Sequence, residues 1–163
     1  MSSMQIRLRN EPVSADRQAL TDILVSTGMF YDFEIEVALE LLDDRIEKGP
    51  ASEYIFMFAD AGDRAAGYIC YGPITMAEGR FDLYWIAVKA DMQGRGVGSL
   101  LLSGAERHMA ESFGCKHIYV ETASREQYRP TREFYRKNGY REAARVPKFY
   151  ADDDDKIIFM KSL

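Results

Sequence analysis

Asp82-Leu83-Tyr84-Trp85-Ile86-Ala87-Val88 is a strand-like run that passes through the polar link Lys89-Ala90-Asp91-Met92 into Gln93-Gly94-Arg95-Gly96-Val97-Gly98-Ser99, at the head of an apolar helix reaching Phe113. Strand, glycine turn and helix follow without a break. Glycine costs roughly 1 kcal/mol relative to alanine inside a helix. Three of them at alternate positions beside Leu100-Leu101-Leu102 therefore need a reason other than helix propensity. Close backbone approach to a ligand supplies one. Without a Cβ at Gly94, Gly96 and Gly98, main-chain N–H groups can converge on one anion, and the first-turn N–H groups of a helix have no partner within it. The helix dipole adds about 0.3–1 kcal/mol for negative charge at that end, and Arg95 adds a formal cation. The stretch reads as a pyrophosphate site.

Spacing separates three kinds of phosphate loop. The ATP/GTP kind closes on Gly-Lys-Ser/Thr, which is absent. The dinucleotide kind wants a third glycine where Ser99 stands, and an acidic residue about 20 residues on, for which Glu121 comes late. Gln-x-x-Gly-x-Gly after a strand ending Ile-Ala-Val instead resembles the acetyl-CoA loop of the GCN5-related N-acetyltransferases (GNAT). Phe134-Tyr135, three polar residues and Gly139-Tyr140 resemble that family's fourth helix and the start of its sixth strand.

With 163 residues, 47% hydrophobic and 29% charged, the chain is expected to form a single domain over 1–163 with a core of its own. It has no apolar run of about 18 residues, hence no expected membrane span. Met1-Ser2-Ser3-Met4-Gln5 lacks the basic-then-apolar pattern of a signal peptide. Cys70 and Cys115 are too few and too far apart for a disulfide framework or metal knuckle. His108 and His117 show no ligand-like spacing, so no metal is expected and a cytoplasmic setting is. A net charge of −5 argues against a nucleic-acid surface and for a cationic substrate.

Gln5 to Arg9 alternates as a first strand. Ser14 is the expected cap of a helix carrying Leu20, Ile23, Leu24 and Thr27 on one face and stopped by Gly28. Met29-Phe30-Tyr31-Asp32-Phe33 gathers aromatic side chains as a pocket wall or as core. Ile35, Ala38, Leu39, Leu42 and Ile46 define the inner face of a helix from Glu34 to Lys48, ended by Gly49-Pro50. Two strands, Tyr54 to Ala59 and Ala66 to Tyr71, flank a turn. After the glycine-headed helix, with Leu101, Leu102, Ala105, Met109 and Phe113 inward, Gly114 stops it and His117 to Thr122 forms a buried strand, joined to the Asp82-to-Val88 strand by a right-handed parallel crossover. A short helix with Pro130 in its first turn and Gly139 at its end follows. Two strands, about Arg141 to Tyr150 and Lys156 to Lys161, close the chain around Asp152-Asp153-Asp154-Asp155, read as a solvated acidic turn.

The family resemblance implies a three-layer α/β fold: a mixed, mostly antiparallel sheet of about seven strands with about four helices and a splayed fourth and fifth strand pair. It implies acetyl-CoA as cosubstrate, its pantetheine arm along Ile86, Ala87 and Val88, with one N–H there facing the developing oxyanion. Gln93, Gly94, Arg95, Gly96, Val97, Gly98 and Ser99 would then bind the pyrophosphate. Tyr135 matches the tyrosine that protonates the departing thiolate, as a phenol with an ordinary pKa near 10 suits. Asp82 falls where some members carry a glutamate base, and Glu121 on the neighbouring strand is the second candidate. Many members have a cofactor-contacting asparagine seven residues before the tyrosine; here Tyr128 stands there.

The expectation is an N-acetyltransferase, monomer or homodimer, that moves acetyl by direct attack to a primary amine, with a small molecule favoured over a peptide. A CoA-binding module without turnover is the alternative.

Overall fold

The computed structural model describes residues 4–163; the part of the N-terminal reading that falls on Met1, Ser2 and Ser3 lies outside the described residues. Among these residues the elements run β1 (Ile6–Arg9), α1 (Asp16–Thr27), α2 (Asp32–Lys48), β2 (Ile55–Ala61), β3 (Arg64–Pro73), β4 (Arg80–Val88), α3 (Val97–Phe113), β5 (His117–Ala123), α4 (Arg129–Lys137), β6 (Arg141–Ala151) and β7 (Asp154–Ser162). The strands form one sheet in the order β1-β2-β3-β4-β5-β7-β6. Pairing is antiparallel for β1/β2, β2/β3, β5/β7 and β6/β7, and parallel for β4/β5. This is the mixed, mostly antiparallel α/β architecture that the sequence resemblance implies.

The chain divides into two compact units, Met1–Gly72 with Trp85–His108 and Pro73–Tyr84 with Met109–Leu163. β4 contributes to both.

In the first unit, side chains that alternate along β2 and β3 reach opposite faces. Phe56, Phe58, Tyr68 and Cys70 pack with Leu20, Ile23 and Leu24 of α1 and with Ile35, Ala38 and Leu42 of α2. On the other face α3 comes close because it carries Gly104 there; a Cβ would stand 2.5 Å from Leu8 Cδ1 and 3.0 Å from Met57 Sδ. Gly28 ends α1 in the left-handed region at φ 66°, its N–H donating to the Val25 carbonyl.

Two local expectations fail in this unit. Ser14 is not the cap of α1: the helix starts at Asp16, whose Oδ2 accepts the Val13 N–H at 2.7 Å. Asp16 is also gripped by Arg9, which bridges it to Asp60 at 2.8 and 2.9 Å; the position ahead of the helix falls to Ala15, which makes no side-chain cap bond. Ile46, expected inward, is 38% exposed. Arg45 is buried instead, its Nη2 donating to Glu11 Oε1 at 2.8 Å.

In the second unit, Phe81, Leu83, Ile118, Val120 and Phe159 are buried and occupy one face by strand alternation. Phe113, expected inward, is 48% exposed at the last residue of α3, where the helix stops, with its ring against Phe81; Tyr135 of α4 lies against Phe159. The acidic turn is not simply solvated. Asp154 is buried, and its Oδ1 accepts the N–H groups of Ser124 and Arg125 at 3.0 and 3.2 Å. Asp155 accepts the Lys148 N–H at 2.8 Å and pairs with Arg145 at 2.7 Å.

Candidate active site

The glycine loop belongs to the first unit. A short helical turn, Ala90–Met92, follows β4. It is pinned at its start, where the Ala90 N–H donates to Ser26 Oγ at 3.0 Å and the Lys89 N–H to the Ala66 carbonyl at 2.8 Å. Gln93 turns back, its Nε2 donating to the Val88 carbonyl at 3.0 Å. Gly94 and Gly96 take φ of 74° and 82°, and a Cβ built on either meets nothing within 4 Å. The backbone here is left-handed and lies bare beside open space, which is what an approaching phosphate needs. α3 begins one residue later at Val97, so its unpartnered first-turn N–H groups adjoin the same turn. Gly98 and Ser99 are helical, and Arg95 is exposed. These residues fit a diphosphate. Ile86, Ala87 and Val88 end β4 just before the turn.

The second unit holds an open cleft of about 710 Å³ lined by Ile74, Ala77, Glu78, Arg80, Asp82, Tyr119, Glu121 and Ile158. The register pairs Asp82 with Tyr119 and Glu121 with Ile158, placing both candidate bases on one face. The β4/β5 ladder joins Arg80–Leu83 to His117–Val120, while β4 continues to Val88 and β5 to Ala123. Asp82 is half-buried, and its carboxyl is pushed above the usual aspartate range, first by desolvation and then by the charge of Glu121. Glu121 is paired: Lys156 Nζ lies 2.9 Å from its Oε2. Lys156 also stands 3.6 Å from the centre of the Phe149 ring.

Tyr135 is 3% exposed, among Phe134, Tyr140 and Phe159. Burial raises its phenol well above the ordinary value. Phe159 pairs with Val120, next to the Glu121–Ile158 pair, so Tyr135 approaches the face of the sheet opposite the cleft. Tyr128 closes the short turn Glu126–Tyr128 ahead of α4 and is partly exposed. Asp82 and Glu121 are thus brought together within the second unit, with Tyr135 across the sheet from them.

Four residues to which the sequence reading gives no part in a site shape these places. Arg80 lies two residues before Asp82 on the same face, which the two-residue strand period signals. Ser26, Lys156 and Asp154 act through partners 64, 35 and 30 positions away, and no local pattern announces them. His108 Nδ1 and Tyr71 Oη are 2.8 Å apart, and His117 Nδ1 is 2.9 Å from Ser162 Oγ. Among the described residues no three His, Cys, Asp or Glu side chains gather as a metal site, and no helix is long and apolar enough to cross a membrane.

Comparison with known proteins gives a consistent result. The model of the acetyltransferase (GNAT) family matches residues 18–140. A Desulfovibrio desulfuricans crystal structure assigned to the acetyltransferases of the GNAT family superposes with a TM-score of 0.94 at 37% identity, covering 97% of this chain and 99% of that one. An uncharacterized N-acetyltransferase of Methanocaldococcus jannaschii is 32% identical over 106 residues; the match spans 65% of this chain and 65% of that relative's own length. An aminoglycoside 6′-N-acetyltransferase crystallised with coenzyme A shares the fold, with a TM-score of 0.75 at 21% identity over 98% and 97% of the two chains.

Proposed function

The chain belongs to the acetyltransferase (GNAT) family, and from that premise we propose that it is an N-acetyltransferase, one catalytic domain, transferring acetyl from acetyl-CoA to the primary amine of a small molecule. The observation that carries this is the turn at Gly94 and Gly96: left-handed, bare of side chains and adjoining the start of α3. That the aminoglycoside enzyme of the same fold was crystallised with coenzyme A supports the choice of cosubstrate and of a small amine.

Acetyl-CoA supplies an activated acyl group; the chain's residues bind, orient and move protons. Amides of Gln93 to Ser99, with Arg95 beside them, hold the pyrophosphate, and Tyr128 contacts the cofactor. The end of the β4/β5 register at Leu83 and Val120 supports a pantetheine arm pairing with Ile86, Ala87 and Val88, where one N–H stabilises charge on the carbonyl oxygen. Asp82 takes the proton from the ammonium. Glu121 is set aside for that role because Lys156 occupies it, and Asp82 is the carboxylate whose environment favours holding a proton. Tyr135 returns a proton to the thiolate; its burial keeps the phenol protonated at neutral pH.

The test is thiol release from acetyl-CoA across a panel of primary amines. Release that depends on the amine, with the acetylated product seen by mass spectrometry, is expected. Saturable CoA binding with no release for any amine would make the protein a sensing module.

A further inference from the structure

The cleft of the second unit contains a cation to which acetyl transfer assigns no task. Arg80 lines it with Asp82, and the two side chains leave the same face of β4 about 7 Å apart. Arg80 Nη1 donates to the Glu78 carbonyl oxygen at 2.8 Å. Among the described residues no carboxylate forms an ion pair with its guanidinium. The other ions of the cleft are differently placed. Glu121 is neutralised by Lys156, and Glu78 is exposed. Asp82 and Arg80, both partly exposed, therefore leave one face of β4 with no ion pair to either among the described residues.

This arrangement suits a particular acceptor. A guanidinium offers a planar fork of donors that meets a carboxylate in two parallel hydrogen bonds. A polyamine would bring a second ammonium towards Arg80 and Lys156, where like charges repel. An alkylamine with no second polar group would desolvate Arg80 and give nothing in return. A volume of about 710 Å³ admits a small metabolite, and Ile74, Ala77 and Ile158 give its connecting carbons an apolar wall. We propose that the acceptor is a small amino acid in the broad sense, a primary amine carrying a carboxylate, with its amino group at Asp82 and its carboxylate on Arg80. The inference rests on Asp82 as the acceptor-side base and names the substrate class that the proposed activity leaves open.

The experiment compares kcat/KM for ω-amino acids, from glycine to aminocaproate, with alkylamines and diamines of the same chain length, in the wild type, Arg80→Gln and Arg80→Lys. At one chain length the amino acid is expected to exceed both counterparts by at least about tenfold, the value of one charge-assisted pair. Arg80→Gln brings that ratio down to about one, through KM, and Arg80→Lys restores part of it. A wild-type ratio near one, a preference for diamines, a stronger preference for an aminoalkyl phosphate, or a ratio that survives Arg80→Gln overturns the proposal. If no amine releases thiol, calorimetric titration of the same amino acids onto the CoA-saturated protein decides instead. Binding weakened about tenfold by Arg80→Gln upholds the Arg80 site while the transferase reading falls; no binding removes the site itself.

Discussion

Lys156 and Glu121 form an ion pair of 2.9 Å across β7 and β5, so Glu121 faces the cleft with its charge already answered, while Asp82 on β4 has no such partner among the described residues. The two carboxylates still feel each other, since Glu121 contributes to the upward displacement of Asp82 after desolvation. A base acts only when unprotonated, so turnover falls as the pH drops through the Asp82 pKa, and that limb lies above the range of an ordinary aspartate. Glu121→Gln removes a neighbouring anion and moves the limb down; Lys156→Met removes a cation and moves it up. Profiles of kcat/KM against pH check this. Three superimposed profiles would exclude Asp82 as the base tuned by this pair.

Tyr135→Phe keeps the ring that packs on Tyr140 and Phe159 and removes only the hydroxyl. Turnover is expected to fall about 10²-fold, the usual scale of a lost proton donor, with CoA affinity nearly unchanged. Steady-state rates beside calorimetric CoA titration separate the two effects. Unchanged turnover would reduce Tyr135 to a packing residue.

Asp154→Ala strands the N–H groups of Ser124 and Arg125, both of which donate to Asp154 Oδ1 at the end of β5. Unmade buried hydrogen bonds cost about 1–3 kcal/mol, and the loop leading to α4 loses its tie. Asp154→Asn retains an acceptor oxygen and is expected to lose much less. Denaturant unfolding of both variants measures the difference; equal stability in all three proteins would contradict it.

Much of the fold is legible where the signal is local. The inward faces of α1 and of α3 as far as Met109, the left-handed stops at Gly28 and Gly114, and the strand, turn and helix that begin at Asp82 in the sequence reading follow from period and glycine placement. What escapes is decided by distant partners. Helical period alone selects Ile46 for the inner face of α2, but Glu11, 34 positions away, draws Arg45 in. Ser14 looks like the cap of α1, but Arg9 and Asp60 fix Asp16 at the helix start and leave the cap position to Ala15. Four consecutive aspartates suggest water, yet Asp154 is buried because two N–H groups on the neighbouring strand's loop need an acceptor. The glycine turn is readable because it depends on missing side chains, whereas the Lys156–Glu121 pair depends on which strands become neighbours, and β7 comes to lie beside β5 only through the long return of β6.

On the proposed reading, bare amides around Gly94 and Gly96 hold a diphosphate. Calorimetric titration of coenzyme A against pantetheine, which lacks the diphosphate, tests it most directly, in the wild type and in Gly96→Val. Coenzyme A is expected to bind at least about 100-fold more tightly than pantetheine in the wild type, with most of that advantage lost in Gly96→Val, where a β-branched residue must adopt φ near 82°. Equal affinity for both ligands, or an advantage that survives Gly96→Val, would contradict it.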